Sequence, residues 1–495
     1  MSAEIAPGRP GNLTPDQEEK LRRLWQLVFQ VCGVSRPENG AEAAPAPSQA
    51  SGTPDNKPES PNKTKKGRLS MFRRSRKDSD ADSTPAAAAS GPAPTVVLTP
   101  AKDGGEDDKY GQTKHFYDTL ASQSPESIRA TIWSMVKHDH PDALLLRFLR
   151  ARKWDVEKAL VMLVSTMNWR AQEMKVDDDI MRNGDEAAAE AEKDSSDPVR
   201  QRLGHDFLQQ ERIGKSFVHG TDKAGRPICF VRVRLHRQGE QVEESLERYT
   251  VYLIETCRYL LKPPVDTATI VFDMTGFSLA NMDYAPVKFM IKCFEANYPE
   301  SLGAVLVHKA PWVFQGIWKV IRGWLDPVVA NKVHFTNNVK EMEEFIAPKQ
   351  LPKELDGEED WEYAFVEPVP GENERMKDVE TRDKLLAARE VLVKEFEDAT
   401  AQWIAHPDGE EGETLKTKRA ELAGRLREDY WNLDPYVRAR SFYDRTGVLL
   451  PGGVLDFYPE QTKKKQQQQQ ESEKVAEITN GVAAVAIQTS ADDVD

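Results

Sequence analysis

The sequence predicts an α/β protein in which helices cover a mixed β-sheet. Residues 298–335 read as a turn, a short apolar strand at 304–307, a helix, and a second strand beginning at Lys332. A helical connection of this kind joins parallel strands. Residues 267–272 form another continuous apolar run, which is typical of a strand buried on both faces. Residues 228–235 instead alternate two sets of side chains, as antiparallel strands do.

The helix within this unit, predicted near 313–325, is unusual because apolar residues lie on nearly every side of it. A helix of this kind is buried in a large core or lies against lipid, and both interpretations stay open. It is too short to span a bilayer, which takes about 20 apolar residues. Its two charged residues, Lys319 and Arg322, can bury their stems and keep their charges in water.

Composition limits the classes of protein that fit. The 495 residues suit two or three domains, but charged residues make up 30% and apolar residues only 39%, so part of the chain is expected to stay unpacked. The net charge of −14 argues against a general nucleic-acid binder. The four cysteines lack metal-ligand spacing and are interpreted as reduced thiols of a cytosolic protein. With no signal peptide or spanning run evident, membrane contact is expected to be peripheral.

The N-terminal segment, residues 1–33, is predicted to contain an amphipathic helix over 15–32. Thr14 is a good N-cap, and Gln17 completes a capping box. The helix either docks onto the main domain or contacts a membrane or a partner. Its polar face mixes acidic and basic residues, which favours docking. The apolar stripe consists of Leu21, Leu24, Trp25, Val28, Phe29 and Cys32.

Residues 34–109 are rich in Pro, Ala, Ser and Gly and are predicted to be a disordered linker. A basic cluster at 63–77 could hold an anionic membrane surface, and phosphorylation of Ser70, Ser75 or Ser79 would weaken that attraction. A solvated linker and a nuclear import signal are the alternatives.

Four further regions follow the linker. Residues 110–198 predict a small helical subdomain that ends in an acidic break at 189–198. Residues 199–366 predict the main domain, with a further strand at 216–219 and helices near 243–261 and 284–297. Residues 367–458 predict long charged helices that fold back on the main domain. The Gln-rich tail, 459–495, is predicted to be disordered.

Catalysis finds little support. Residues 214–216 (GKS) are not a P-loop, because Gln209 stands where the first glycine is required. His138 and His140 could hold a metal ion but are interpreted as a solvated turn. Asp273 follows a strand, where ligands bind in α/β sheets, yet one carboxylate specifies no reaction. We expect no catalytic residue and no metal site.

Four motifs follow one another in order: LLLRFLRARKWDVEKA at 144–159, TDKAGRPI at 221–228, VFDMTGFS at 271–278, and YPE, APW and LDP within 298–327. Through them the segment 110–366 resembles the CRAL-TRIO lipid-binding domain family, and in particular its fungal phosphatidylinositol transfer proteins. The resemblance implies that sheet and helices enclose an apolar lipid cavity and that the helix at 313–325 is its movable gate.

The same resemblance implies a non-catalytic protein that binds phosphatidylinositol and exchanges it at membrane surfaces. The bound phospholipid is then its ligand, and no cofactor is expected. The protein would be a cytoplasmic monomer, peripheral on intracellular membranes, with a lipid kinase as a candidate partner and no nucleic acid.

The head group would be met by Arg152, Lys153, Glu300 and Lys332, which stand at the family's positions. Lys332 and Arg152 are expected on the phosphate, and Glu300 accepts from inositol hydroxyls or holds Lys332. Val329 replaces a threonine of the family and removes one hydroxyl contact. The gate and cavity are expected to include Trp312, Phe314, Ile317, Trp318, Ile321 and Trp324.

The family's choline site looks diverged here. Its two tyrosines and two hydroxyl residues align with Val218, Leu253, Ala268 and Ile270, all apolar. Burying an unpaired phosphocholine would cost several kcal/mol, so phosphatidylcholine binding is expected to be lost. A second ligand would be more apolar, such as a sterol. The alternative function is a regulatory adaptor that uses this fold for protein and membrane-surface contacts.

Overall fold

The computed structural model describes residues 5–34 and 108–469. The basic cluster at 63–77, with Ser70, Ser75 and Ser79, lies outside the described residues. So do nearly all of the linker predicted at 34–109 and residues 470–495 of the tail.

Seven α-helices precede the sheet within residues 5–34 and 108–215. The predicted capping box of Thr14 and Gln17 begins the first of them, and Asp155 caps the fifth, most of whose apolar side chains are fully buried. The sixth continues to Lys193, so the break predicted at 189–198 is confined to residues 194–197. The reason is that Ala and Glu, which make up much of this segment, favour helix. The helices are α1 (Pro15–Val31), α2 (Gln112–Ser122), α3 (Pro125–Val136), α4 (Pro141–Ala151), α5 (Val156–Asn168), α6 (Arg182–Lys193) and α7 (Pro198–Arg212).

The sheet is mixed, as the sequence predicts, and its five strands lie side by side in chain order. The first pair is antiparallel and the remaining pairs are parallel. Ile270 pairs with Cys229 on one side and with Val305 on the other. The strands are β1 (Ser216–Thr221), β2 (Pro227–Arg232), β3 (Ala268–Asp273), β4 (Leu302–His308) and β5 (Val333–Thr336).

Helices make each parallel crossover close to its predicted position. α8 (Glu243–Tyr259) joins β2 to β3, α9 (Tyr284–Lys292) joins β3 to β4, and α10 (Phe314–Arg322) joins β4 to β5. A short π-helical turn, Cys293–Asn297, extends α9. Two single-turn helices, α11 (Pro327–Ala330) and α12 (Val339–Met342), flank β5.

The two faces of the sheet have different surroundings. Phe230, Val271 and Leu306 point to one face, where they pack against Met342, Ile346 and other residues that follow β5. Alternate residues, Ile270 and Val305 among them, point to the opposite face, which α8, α9 and α10 cover. Because side chains alternate along a strand, each short apolar run supplies both a packed core and the wall of a cavity.

The C-terminal extension begins with two long helices, α13 (Val379–Ala405) and α14 (Gly409–Val437). They pack mainly against the N-terminal helices, since Arg129 and Trp133 of α3 both donate to Glu397. The extension then crosses β1 through α15 (Phe442–Thr446), β6 (Leu449–Leu450) and β7 (Val454–Leu455). α14 also contacts the main domain, since the Tyr430 hydroxyl lies 2.6 Å from that of Tyr259. The extension thus folds back on the main domain, as the sequence predicts, and on the N-terminal helices as well.

Two local interpretations change in the structure. His138 is not in a solvated turn: it is 6% exposed, and its ring lies 4.8 Å from Trp431, because the extension covers this turn. His140 caps α4 through its Nδ1, which accepts from the Asp142 N–H. Residues 459–469, in the tail predicted to be disordered, are helical; Lys and Gln are good helix formers.

Candidate functional site

A large apolar cavity lies between the sheet and helices α8, α9 and α10. It contains about 1360 Å³ of space, part of which is open to solvent. The sheet contributes one face of its alternating strands, and the helices contribute their inward stripes. Its lining from the sheet includes Val231, Ile270, Phe272, Val305, Val307 and Val333, and its lining from helices includes Leu246, Val287, Met290, Ile291, Phe314, Trp318 and Ile321.

A second cavity of about 750 Å³ adjoins the first and shares Ile270 and Phe294 with it. Leu253, Ala268 and Cys229 also line it. Burial raises the pKa of the Cys229 thiol to about 12, so this thiol stays neutral at physiological pH. The two spaces therefore form one extended apolar volume beside the sheet.

Helix α10 forms one wall of the first cavity. Of the six residues predicted for the gate, Phe314, Trp318 and Ile321 line the cavity, and Ile317 is buried beside Met274 and Val307. The other two predicted residues lie elsewhere. Trp324 packs edge-on against Tyr284 of α9, with ring centroids 5.3 Å apart.

Trp312 precedes α10 and is 86% exposed. The outer face of the helix carries Gln315, Lys319 and Arg322, and Val320 is also exposed. The prediction of a helix apolar on nearly every side is therefore wrong: α10 has one buried face and one exposed face. Trp312 and Trp324 make the segment look apolar on every side, but both lie outside the helical residues Phe314–Arg322.

Two of the four predicted head-group residues meet at the rim of the cavity. The Lys332 Nζ lies 4.0 Å from the Glu300 Oε2, and each side chain is 22% exposed. Glu300 has a φ of +54°, a conformation that costs a non-glycine residue free energy. Arg147 donates to its carbonyl oxygen at 2.8 Å and holds it there. The residues that follow them, Ser301 and Val333, line the two cavities.

The other two predicted head-group residues follow α4. Arg152 donates to Gln112 Oε1, and Gln112 donates in turn to the carbonyl oxygen of Ala296. Arg152 is thus linked to the chain segment that ends in Glu300. Lys153 is exposed in the turn that follows α4.

Three of the four positions assigned to the diverged choline site line the second cavity: Leu253, Ala268 and Ile270. The fourth, Val218, does not. It is buried in β1, where its N–H donates to the Tyr443 hydroxyl at 2.6 Å. The C-terminal extension covers this position, which could not be seen from the local sequence.

A polar cluster at one end of the first cavity was missed by sequence reasoning. Lys215 donates to Gln241 Oε1 at 2.6 Å and lies 3.3 Å from His236 Nδ1. His236 Nε2 lies 3.3 Å from Asp283 Oδ2. Burial lowers the pKa of Lys215 to about 8, and burial and the Lys215 charge lower the pKa of His236. The only available signal was a lysine directly before an apolar strand.

Asp273 is engaged by Arg234 at 2.5 Å and by the Thr275 N–H. Residues 5–34 and 108–469 contain no group of three or more His, Cys, Asp or Glu placed to hold a metal ion. Within the same ranges, no helix combines the length and apolarity needed to cross a bilayer.

Comparison with known proteins identifies relatives over nearly the whole chain. The family model "CRAL/TRIO domain" matches residues 211–357, and "CRAL/TRIO, N-terminal domain" matches residues 112–165. A CRAL-TRIO domain-containing protein of Schizosaccharomyces pombe is 42% identical over 90% of this chain and 93% of its own. The phosphatidylinositol transfer protein CSR1 of Eremothecium gossypii is 38% identical over 91% of this chain and all of its own. A phosphatidylinositol/phosphatidylcholine transfer protein of Arabidopsis thaliana, SFH12, is 26% identical over 45% of this chain and 40% of its own.

Proposed function

The chain belongs to the CRAL/TRIO family, and we propose that it is a non-catalytic phosphatidylinositol-binding and transfer protein. One observation carries the proposal: an apolar cavity is walled by a helix with one exposed face, and a Glu–Lys pair lies at its rim. The full-length similarity to a phosphatidylinositol transfer protein supports it.

The cavity is proposed to hold the acyl chains. A two-chain lipid has on the order of 30 methylenes, each worth about 0.8 kcal/mol on transfer from water, so its tails must be enclosed during transfer. Apart from the polar cluster at one end, most of the lining is Val, Ile, Leu, Met and Phe, which makes no specific polar demand on a tail. A lining of this kind accepts tails of different length.

Helix α10 is proposed to be the gate. Its inner residues, Phe314 and Trp318, line the cavity. Gly316 within α10 and Gly323 directly after it would ease a hinge motion, because glycine is conformationally permissive. The exposed Trp312 is of the type that enters membrane interfaces. In this proposal the protein is a cytoplasmic monomer that exchanges lipid at the surface of intracellular membranes and presents phosphatidylinositol to a lipid kinase.

The rim is proposed to bind the head group. Lys332, joined by Arg152, would meet the phosphate, because charge-assisted hydrogen bonds to phosphate are strong. Glu300 would accept from inositol hydroxyls. Lys153 would add charge from the exposed turn after α4.

Phosphatidylcholine is proposed to be excluded. Leu253, Ala268 and Ile270 present no hydroxyl to a phosphocholine group in the second cavity, and an unpaired buried phosphocholine is costly. The second ligand would then be a more apolar lipid of the sterol type.

The test is mass spectrometry of the lipids that co-purify with the intact chain. Wild type is expected to carry phosphatidylinositol and no abundant phosphatidylcholine, and Lys332→Ala is expected to lose phosphatidylinositol. Lys349→Ala, an exposed lysine of the same domain, serves as the matched control and should keep it. A wild-type protein that carries no phosphatidylinositol and takes none from vesicles would refute the proposal, and abundant phosphatidylcholine would refute the exclusion.

A further inference from the structure

The apolar cavity has a second polar end. Lys215, His236 and Asp283 all line it, together with apolar residues from the sheet. His236 follows β2, Asp283 follows β3, and Lys215 directly precedes β1. Because β1 runs antiparallel to the other strands, all three lie at the carboxyl end of the parallel strands.

The rim pair lies at the opposite end. Glu300 precedes β4 and Lys332 precedes β5, so both are at the amino end of those strands. β4 has seven residues, and a strand rises about 3.3 Å per residue, which puts the two ends of the sheet roughly 20 Å apart. The Lys215 cluster therefore cannot contact a head group that is held at the rim.

Lys215 lacks an ionic partner among the described residues. It is 6% exposed, and no carboxylate of residues 5–34 or 108–469 forms an ion pair with it. Asp206, Glu240 and Asp283 act on it only from a greater distance. Two of its three N–H donors face Gln241 and His236. A buried ammonium with no carboxylate in contact is costly. A negatively charged group of a ligand at this end of the cavity would therefore stabilise Lys215.

We propose that the Lys215 end of the cavity binds the carboxylate of a long-chain fatty acid, whose hydrocarbon chain lies along the apolar lining. The inference rests on the proposed lipid-carrier function, and at this end of the cavity it places an ionised fatty acid in preference to the sterol-type second ligand proposed above. The third N–H of Lys215 donates to the carboxylate, and Gln241 and His236 hold the ammonium in place.

A singly charged carboxylate fits this cluster better than other polar ends do. His236 accepts from Lys215 at Nδ1 and donates to Asp283 from Nε2, which is the arrangement of a neutral ring. The cluster thus supplies one positive charge beside the negative charge of Asp283. Asp283 repels any anion at this end, but it repels a doubly charged phosphate monoester about twice as strongly as a singly charged carboxylate. A sterol hydroxyl would leave the ammonium with no carboxylate in direct contact.

The test measures binding of oleate, oleyl alcohol and cholesterol to lipid-free full-length protein. Oleate and its alcohol share one hydrocarbon chain, so their difference isolates the carboxylate. A hydrogen bond to a charged group predicts that oleate binds about tenfold to a hundredfold more tightly than the alcohol. Equal affinity of the two, or tighter binding of cholesterol, would overturn the inference without any mutation.

Lys215→Met removes the charge and keeps most of the side-chain volume. It is expected to abolish the preference for oleate over the alcohol, whereas Lys223→Met, at the exposed turn after β1, keeps it. A Lys215→Met protein that still prefers oleate would overturn the inference. Phosphatidylinositol uptake by the wild-type protein distinguishes failure of this inference from failure of the proposed carrier function. Uptake without a preference for oleate refutes only this inference. No uptake refutes the carrier function.

Discussion

Two sets of amphipathic helices in this protein bury their apolar faces in different ways. One set, which we call the helical clamp, consists of α1, α3, α4, α13 and α14, and its members pack directly on one another. The other set, the cavity wall, consists of α9 and α10, whose apolar faces line the first cavity. Their sequences show the same kind of stripe, but the clamp helices pack against one another, whereas the wall helices face the cavity.

The clamp is fixed by a buried polar network as well as by apolar contacts. Asp142 of α4 accepts two hydrogen bonds from Arg419 of α14 and one from the Trp25 indole of α1. Arg419 also lies over the Phe396 and Trp403 rings of α13. Burial opposes ionisation of Asp142, but the Arg419 charge leaves its pKa below the usual value. Three helices thus meet at the Asp142 carboxylate, and a fourth, α13, packs against the arginine that binds it.

The cavity wall has no comparable network. Phe314, Ile317 and Ile321 contribute apolar contacts, while the outer face of α10 is exposed to solvent. Side chains of α10 that face the apolar cavity lack the dispersion contacts that a packed neighbour would give them, and water does not replace those contacts. From this comparison we expect stability to be concentrated in the clamp and local opening to be easier at the wall, as the proposed gate would require.

The largest expected effect comes from breaking the clamp network. Asp142→Ala leaves Arg419 buried without its partner and should lower the free energy of unfolding by about 3–5 kcal/mol. Urea unfolding followed by circular dichroism measures this. Asp16→Ala, which removes an exposed pair with Lys20, is the control and should cost less than about 1 kcal/mol. Similar costs for the two variants would contradict the role given to the network.

A pair of aromatic truncations compares the two regions directly. Phe396 is fully buried between Trp25 and Trp133, and Phe396→Ala should cost about 3–5 kcal/mol. Phe314 faces the cavity, so Phe314→Ala should cost only about 1–2 kcal/mol in lipid-free protein. Urea unfolding measures the change in unfolding free energy for both variants. If Phe314→Ala proved as costly as Phe396→Ala, the wall would be as tightly packed as the clamp.

The clamp also predicts a pH dependence. Burial lowers the pKa of His138 from 6.5 to about 4, so the folded protein excludes a proton that the unfolded chain binds. Stability should therefore be lost as pH falls from about 6.5 to 4, by about 3 kcal/mol in total. His138→Phe should remove this part of the loss, whereas the exposed His406→Phe should not. Unfolding free energies at several pH values test it, and identical pH profiles for wild type and His138→Phe would disprove it.

The smallest expected effect is local. Backbone amides of α10 should exchange with deuterium faster than those of α13, because few packed contacts oppose local opening of the wall. Vesicles containing phosphatidylinositol should slow exchange in α10 and leave α13 unchanged. Hydrogen exchange with mass spectrometry resolves both segments. Equal protection of the two helices without lipid would remove the distinction between clamp and wall.

Most of the architecture was predictable from local patterns. The apolar runs near 267–272 and 304–307 became β3 and β4, and the capping box at Thr14 begins α1. Strand period, helix period and capping act over a few residues, so they can be read directly from the chain. Resemblance to a family located Glu300 and Lys332, which the structure then brought to 4.0 Å; their head-group role stays a prediction.

Only tertiary structure decided what each surface faces. Asp142 and Arg419 are 277 positions apart, and Val218 meets Tyr443 across 225, so no local pattern encodes either contact. The local sequence suggests a solvated turn at His138, but aromatic rings from α8 and α14 enclose it. Local sequence does not reveal contacts with helices so distant along the chain. Lys215 lies at the cavity because β1 is antiparallel to β2, which puts the start of β1 beside the end of β2. The sequence determined which segments fold and which faces are apolar, whereas contacts between distant segments determined which of those faces are packed and which enclose a cavity.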